Sequence, residues 1–248
     1  MFRSKKRYWR NVSTALVVTL GMMMSATMSP AQASCPQVLP NGKAYEKLAA
    51  DWWKWAFSFP TSINPLFDET GEQAYLGDQG NVFFLAGVFN VSGVATRAIT
   101  VPAGKPLFFP ILNIEWDNVL FRPPYLGGPV TPPPQPNPLS VPELYARAAD
   151  SVGLTTELHA TVDGCAIPDL FSYRAKSAPF SFRLPATDNI YQSFGIDVSG
   201  VVAPAVTDGH WLFLAPLPPG NHTINFGGTF GPPVNFTLDI TYYITVTP

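Results

Sequence analysis

The sequence predicts a mainly β protein, an antiparallel β-sandwich or jelly roll that carries two short helices. The clearest signal is residues 234–246, where apolar and polar residues alternate without a break. The second is a series of short apolar runs separated by proline- and glycine-rich turns. Proline is 27 of 248 residues, about twice the usual share of about 5%, and charged residues are only 13%. Together these observations favour packed antiparallel sheets over a parallel α/β sheet.

The first 33 residues have the layout of a secretory signal. A basic start is followed by an apolar stretch from Val12 to Met24 and then by Ala31-Gln32-Ala33, so we expect cleavage after Ala33. The apolar stretch is shorter than the roughly 20 residues of a spanning helix. A lipid anchor on Cys35 is disfavoured because Gln32 stands where a large aliphatic residue is needed. We therefore predict a signal peptide at 1–33, a single domain at 34–248, and a periplasmic or secreted location.

The expected mature chain is acidic. The signal removes five basic residues, which leaves 10 Lys and Arg against 17 Asp and Glu, a net charge near −7. Without a basic stripe, nucleic acid is excluded as a partner. A basic amphipathic face for anionic lipid is also missing, so no stable membrane insertion is expected after cleavage.

Two cysteines, Cys35 and Cys165, lie in the mature part. In an oxidising compartment we expect them to form a disulfide, with two separate buried thiols as the alternative. Such a bond would close a very long loop and contribute about 4 kcal/mol in the chain-entropy model.

Two segments have helical patterns. In the first, about 42–57, Tyr45, Leu48, Trp52 and Trp55 recur at three- and four-residue spacing, and Pro60 ends it. The second, about 140–152, opens on a capping box between Ser140 and Glu143. A loop at 122–138 with eight prolines precedes it and cannot form regular structure.

The remaining apolar runs are predicted strands. They are 81–89, 96–101, 107–112, 155–162, 180–184, 211–215, 221–226 and 234–246. Turn residues at 102–104, 163–164 and 218–220 separate several of them.

Four ordered motifs resemble an uncharacterised family of exported bacterial proteins. They are the W-x-W of Trp53 to Trp55, DQGNVFFLAG at 78–87, VPAGKPLFFPILN at 101–113 and PLPPGNHTINFGG at 216–228. The resemblance implies an exported β protein and supplies no catalytic residue. It also implies cysteines near Ala74 and Ala98 in relatives, so this chain would lack a second disulfide.

Candidate site residues are few. Trp53 points away from the apolar stripe of its helix, which makes it a candidate surface contact for a carbohydrate. The acidic loops around Asp68 and Asp117 are candidate binding loops. Glu115 or Asp117 with His210 could form the acidic and histidine cleft of a glycan or ester hydrolase, although sequence alone does not place them together.

Cofactor and metal motifs are missing from the sequence. His159, His210 and His222 have no zinc-ligand spacing, and neither a nucleophile elbow nor a dinucleotide fingerprint occurs. We therefore expect no cofactor and no metal, and a non-enzymatic binding or structural module at the cell envelope. A secreted hydrolase and a subunit of an envelope assembly, docked through the proline-rich loop to an envelope protein, remain open alternatives.

Overall fold

The computed structural model describes residues 35–119 and 138–248. The predicted signal at 1–33 and nearly all of the proline-rich loop at 122–138 lie outside the described residues. Within the described ranges, no helix is both long and apolar enough to cross a membrane.

Two longer helices and ten strands make up most of the fold. The helices are α1 (Lys43–Phe57), α2 (Val141–Val152) and the single turn α3 (Ile190–Ser193). The strands are β1 (Phe83–Phe84), β2 (Val94–Pro102), β3 (Leu107–Asp117), β4 (Thr155–Val162), β5 (Cys165–Ala166), β6 (Arg174–Lys176), β7 (Phe180–Leu184), β8 (Gly200–Leu214), β9 (Gly220–Phe230) and β10 (Phe236–Thr247). The mainly β fold class and both predicted helices are confirmed, and the capping box between Ser140 and Glu143 is formed.

The strands form two five-stranded sheets. The first has the order β1-β3-β8-β6, with β7 also pairing with β8, and the second has the order β2-β10-β9-β4-β5. Most pairs are antiparallel, but β1 with β3 and β2 with β10 are parallel, so both sheets are mixed. Alternation along a strand reports which face is buried and not the direction of its neighbour, which is why the sequence did not predict these two pairs.

The sheets pack face to face across a shared apolar core. Phe109 of β3 lies 4.6 Å from Phe226 of β9, measured between ring centroids. On β10 the apolar residues at alternate positions from Leu238 to Val246 are all buried, as the period of two predicts. Helix α1 covers the opposite face of the first sheet, where Trp52 meets Trp211 in an edge contact at 5.8 Å.

The predicted strand at 81–89 is mostly not a strand. Only Phe83–Phe84 pairs with a neighbour, because side chains and loops take the hydrogen bonds of the residues that follow. The Ala86 N–H donates to the hydroxyl of Tyr242 at 2.9 Å, and the Phe89 N–H donates to the Leu66 carbonyl at 2.7 Å. The segment is therefore extended without forming a ladder.

A completely buried arginine, Arg97 on β2, holds that segment against the second sheet. All five of its N–H donors are used. Nε donates to Asp68 O at 2.7 Å, Nη1 to Ala86 O at 2.7 Å and Tyr242 Oη at 2.6 Å, and Nη2 to Pro65 O at 3.0 Å and Gly87 O at 2.8 Å. The guanidinium also lies 5.2 Å from the centroid of the Tyr242 ring, a cation–π distance. Carbonyl dipoles and a ring face thus replace water around the charge.

The disulfide between Cys35 and Cys165 is formed, as predicted. Their Cα atoms are 5.7 Å apart although 130 positions separate them in the sequence. The bond ties the first described residue to β5 at the edge of the second sheet.

We predict that the hydroxyl of Tyr242 is essential for stability. Tyr242→Phe should lower the free energy of unfolding by about 2–4 kcal/mol, because the Ala86 N–H and an Arg97 donor lose their buried acceptor. Urea denaturation measures the change. Tyr243→Phe is the matched control, since Tyr243 is 54% exposed and its loss should cost less than about 0.5 kcal/mol. Equal effects of the two substitutions would contradict this role for Tyr242.

We also predict that the disulfide contributes substantially to stability. The double substitution Cys35→Ser/Cys165→Ser should lower the free energy of unfolding by about 4 kcal/mol, since the unfolded chain regains a long open loop. Non-reducing urea denaturation of both proteins measures the difference. An unchanged midpoint would mean that the bond does not constrain the unfolded chain.

Candidate functional site

A bulge in β3 determines where its acidic side chains point. β3 pairs with β8, and the register shifts between Pro110 and Leu112, where proline has no N–H to offer the ladder. Beyond the shift, Glu115 pairs with Thr207. The hydroxyl of Thr207 accepts a hydrogen bond at 2.9 Å from Nε1 of Trp53, which belongs to α1. Because paired residues share a face, Glu115 points into the layer between the first sheet and α1.

A cavity of about 70 Å³ adjoins this layer and also reaches Phe230, Phe236 and Leu238 of the second sheet. Its wall is mainly apolar, and its aromatic side chains include Trp52, Trp53, Phe57, Phe89, Trp116 and Phe194. Four polar side chains also line it, those of Asn113, Glu115, Asp117 and Tyr191. An apolar pocket with a few converging polar groups is the usual form of a small-molecule site.

Asp117 is a buried acid with partners. The hydroxyl of Tyr191 donates to its Oδ2 at 2.6 Å, and the Val119 N–H donates to its Oδ1 at 2.6 Å. Burial nevertheless outweighs these two hydrogen bonds and raises the pKa of Asp117 to about 7. The group can therefore gain or lose a proton near neutral pH.

Glu115 is less well satisfied. Its Oε1 is inaccessible and has no hydrogen-bond partner among the described residues, and the same holds for Nδ2 of Asn113. Burial, followed by the charge of Asp117, raises the pKa of Glu115 well above its usual value. The residue as a whole keeps some accessible surface because it faces the cavity. Glu115 and Asp117 are two positions apart on one strand, so their Cα atoms are about 6.6 Å apart.

The acid pair has no basic neighbour in the described wall of the cavity, which contains no lysine, arginine or histidine. Asp208, another buried acid, is different. Arg174 donates to its two carboxylate oxygens at 3.0 and 2.8 Å. A buried acid of this fold can therefore have a basic partner, which the described wall does not give to Glu115 and Asp117.

Trp53 is not the surface contact that its position on the helix predicted. It is only 4% exposed, and its ring lies 5.1 Å from Trp52 and 4.9 Å from Phe57. The prediction was wrong because α1 is covered on more than one side, so its second stripe is buried as well. Trp53 contributes to the cavity wall instead.

His210 does not join the two acids. It lies three residues after Thr207 on β8, so its side chain points to the opposite face of the sheet. There it contacts Phe171 at 5.3 Å, and burial together with the charge of Arg174 lowers its pKa to about 4. The proposed cleft of Glu115 or Asp117 with His210 is therefore not formed.

Asp68 stabilises a turn and does not line the cavity. Its carboxylate accepts hydrogen bonds from the N–H groups of Thr70, Gly71 and Gln73 at 2.8–2.9 Å. Burial alone would raise the pKa of Asp68, but these hydrogen bonds outweigh it and lower the pKa. Asp68 and Asp117 therefore belong to separate parts of the molecule.

Sequence reasoning missed Asn113 and Tyr191. Asn113 appeared only as the last residue of the motif at 101–113, just beyond the strand predicted at 107–112, and Tyr191 lies on a helix of four residues, too short for a periodic signal. The contact of Tyr191 with Asp117 spans 74 positions and has no local signature. Within the described ranges, no group of three or more His, Cys, Asp or Glu residues is arranged to hold a metal ion.

Comparisons with known proteins provide little further information. No protein-family model and no curated protein matches the sequence. Among solved structures, the cysteine protease inhibitor EhICP2 from Entamoeba histolytica is similar over 62% of this chain and 94% of its own, at 10% identity. The TM-score of 0.21 is too low to support an argument about fold or function.

We predict that Asp117 makes stability depend on pH. Between about pH 4 and pH 7 the native state keeps a proton that the unfolded state has released, so stability falls as pH rises across this range and levels off above about pH 7. Asp117→Asn should reduce this slope and unfold at a higher urea concentration than the parent at about pH 8, by on the order of 2 kcal/mol.

Asp68→Asn serves as the control with the opposite sign. Because the pKa of Asp68 is lowered, its carboxylate stabilises the fold at any pH above the pKa that it has in the unfolded chain. Removing the carboxylate should therefore destabilise the protein equally at about pH 5 and about pH 8. If Asp117→Asn retained the full pH slope, the carboxyl of Asp117 would not be the buried titrating group.

Proposed function

We propose that this chain is an exported, non-enzymatic binding module that holds a small organic molecule in the cavity beside Glu115 and Asp117. The observation that carries the proposal is the pair of unsatisfied polar atoms, Glu115 Oε1 and Asn113 Nδ2, on side chains that line a mainly apolar cavity rich in aromatic rings.

Leaving these two atoms without partners costs free energy. A buried polar atom without a hydrogen bond costs about 1–3 kcal/mol, and two of them line one small cavity. Local rules of folding are broken most often at functional sites, where a ligand supplies what the chain lacks. Both atoms are inaccessible in this conformation, so a bound molecule with matching donor and acceptor groups would recover this free energy once the two side chains turn towards the cavity.

Binding is favoured over ester hydrolysis by the chemistry of the wall. Its described residues include no serine, cysteine or histidine that could act as the nucleophile or the histidine base of an ester hydrolase. The separation of His210 from the acids removes the one acid and histidine pair that the sequence suggested. The aromatic lining instead suits a ligand with an apolar body.

Export to the periplasm or the exterior is proposed from the signal-like residues 1–33. The disulfide between Cys35 and Cys165 supports it, because such bonds persist in oxidising compartments. A carbohydrate bound on Trp53 is not supported, since that ring is buried. Docking to an envelope protein through residues 122–138 stays a prediction, because that segment lies almost wholly outside the described residues.

We predict that Asn113→Leu separates stability from binding. It removes an unsatisfied amide and fills part of the cavity, so the protein should melt at a higher temperature while losing affinity for cavity ligands at least tenfold. Ligands are first found by thermal shift with a library of small organic molecules, and their affinities are then measured by calorimetry.

Asn64→Leu is the matched control. Asn64 is 1% exposed and its side chain donates to Ala56 O at 2.7 Å and accepts from the Leu66 N–H at 2.9 Å, so its loss should lower the melting temperature. If no library member shifted the melting temperature of the parent, or if Asn113→Leu bound as well as the parent, the proposed function would be wrong.

A further inference from the structure

We infer that the ligand of this cavity is a small organic cation, an amine or ammonium compound that also carries an oxygen acceptor. The inference rests on the proposed function and adds the chemical class of the ligand. It is drawn from the charge, the aromatic wall and the unpaired polar atoms of the cavity.

Charge balance is the first argument. Glu115 and Asp117 both face the cavity, and its described wall offers them no basic side chain. Three other acids of this chain that are partly or fully buried have partners that balance their charge: Asp51 has Lys47 and Lys54, Asp208 has Arg174, and Asp68 has backbone N–H groups. A cation bound between the two carboxylates would allow both to ionise. It would supply the positive charge that the described wall of the cavity lacks.

The aromatic wall is the second argument. Tryptophan and phenylalanine rings attract a cation to their faces within about 6 Å, most strongly where water is excluded. Trp52, Trp53 and Phe57 line the cavity from α1, and Phe89 and Phe194 line it from other segments. Carboxylates together with several aromatic rings form the usual environment of a bound ammonium group.

The two unpaired polar atoms and the volume of the cavity define the chemical class of the ligand more closely. Oε1 of an ionised Glu115 needs a donor, which an N–H or a polarised C–H of an ammonium group provides, while Nδ2 of Asn113 needs an acceptor oxygen. A cavity of about 70 Å³ has room only for a small molecule. A short amino alcohol has the right charge, the right pair of polar atoms and the right length.

Protonation should be coupled to binding. The raised pKa of Asp117, about 7, means that a cation must displace a proton from the acid pair at lower pH. Affinity should therefore rise as pH rises through about 7, and binding should release protons to the buffer. A neutral ligand would show neither effect.

Calorimetry with two matched pairs of probes tests the inference. Choline is compared with dimethylbutanol, in which carbon replaces the nitrogen, and ethanolamine is compared with propanol. We expect at least one cation to bind about tenfold or more tightly than its neutral partner, and its affinity to rise about fivefold or more from about pH 6 to about pH 8. Titrations in buffers of different ionisation enthalpy measure how many protons binding releases.

Variants locate the charge preference. The double substitution Glu115→Gln/Asp117→Asn should abolish the preference for the cation while the neutral partner still binds. Asp68→Asn, which removes an acid outside the cavity, should leave the preference unchanged. Arg122 is the only basic residue of 120–137, a segment outside the described residues, so Arg122→Gln tests whether the chain supplies its own cation.

The outcomes distinguish a wrong ligand class from a wrong binding function. Equal binding of the cations and their neutral partners would overturn the cationic class while leaving the binding function intact. A preference that appeared only in Arg122→Gln would overturn it too, because the chain would then neutralise its own acids. Failure of every library compound would overturn the binding function itself.

Discussion

The fold depends on one buried charge, that of Arg97. Its five donors hold the turn at Pro65–Asp68 and the extended residues Ala86–Gly87 against the second sheet. These two segments do not form a ladder of their own, so the guanidinium replaces the hydrogen bonds that a strand would have made. They also contribute Leu66 and Gly87 to the cavity wall. The shape of the candidate site is therefore set by a residue that does not touch it.

A second constraint, the bulge in β3, gives the site its acidity. Pro110 interrupts the ladder with β8, and the shifted register directs Glu115 and Asp117 towards α1. Phe108, which lies earlier in β3, packs in the same layer. An apolar layer thus acquires two carboxylates, and their raised pKa values follow from the surroundings and not from a special hydrogen-bond network. The acids come from β3, whereas much of the wall comes from α1 and from segments outside the strands, so no one segment contains a recognisable site.

The sequence was sufficient for features that repeat or act locally. The alternation of β10, the capping box at Ser140 and the periodicity of α1 each depend on neighbours within a few positions, and all three are confirmed. The Cys35–Cys165 bond was predictable because few pairings exist. The site was not predictable, since the bulge reverses which face a residue occupies and Tyr191 meets Asp117 from a distant part of the chain. The prediction for Trp53 was wrong for a related reason. Helical spacing identifies one buried stripe, but it does not show on how many sides the helix is covered.

The position of β10 in the second sheet has a consequence for how the protein matures. β10 lies between β2 and β9, so the early strand β2 has no partner in its sheet until the last strand has been made. Such long-range pairing is slow to form and leaves apolar edges open in the meantime. The polypeptide must therefore be kept from aggregating until its final segment is available to pair, a need that a chaperone would meet.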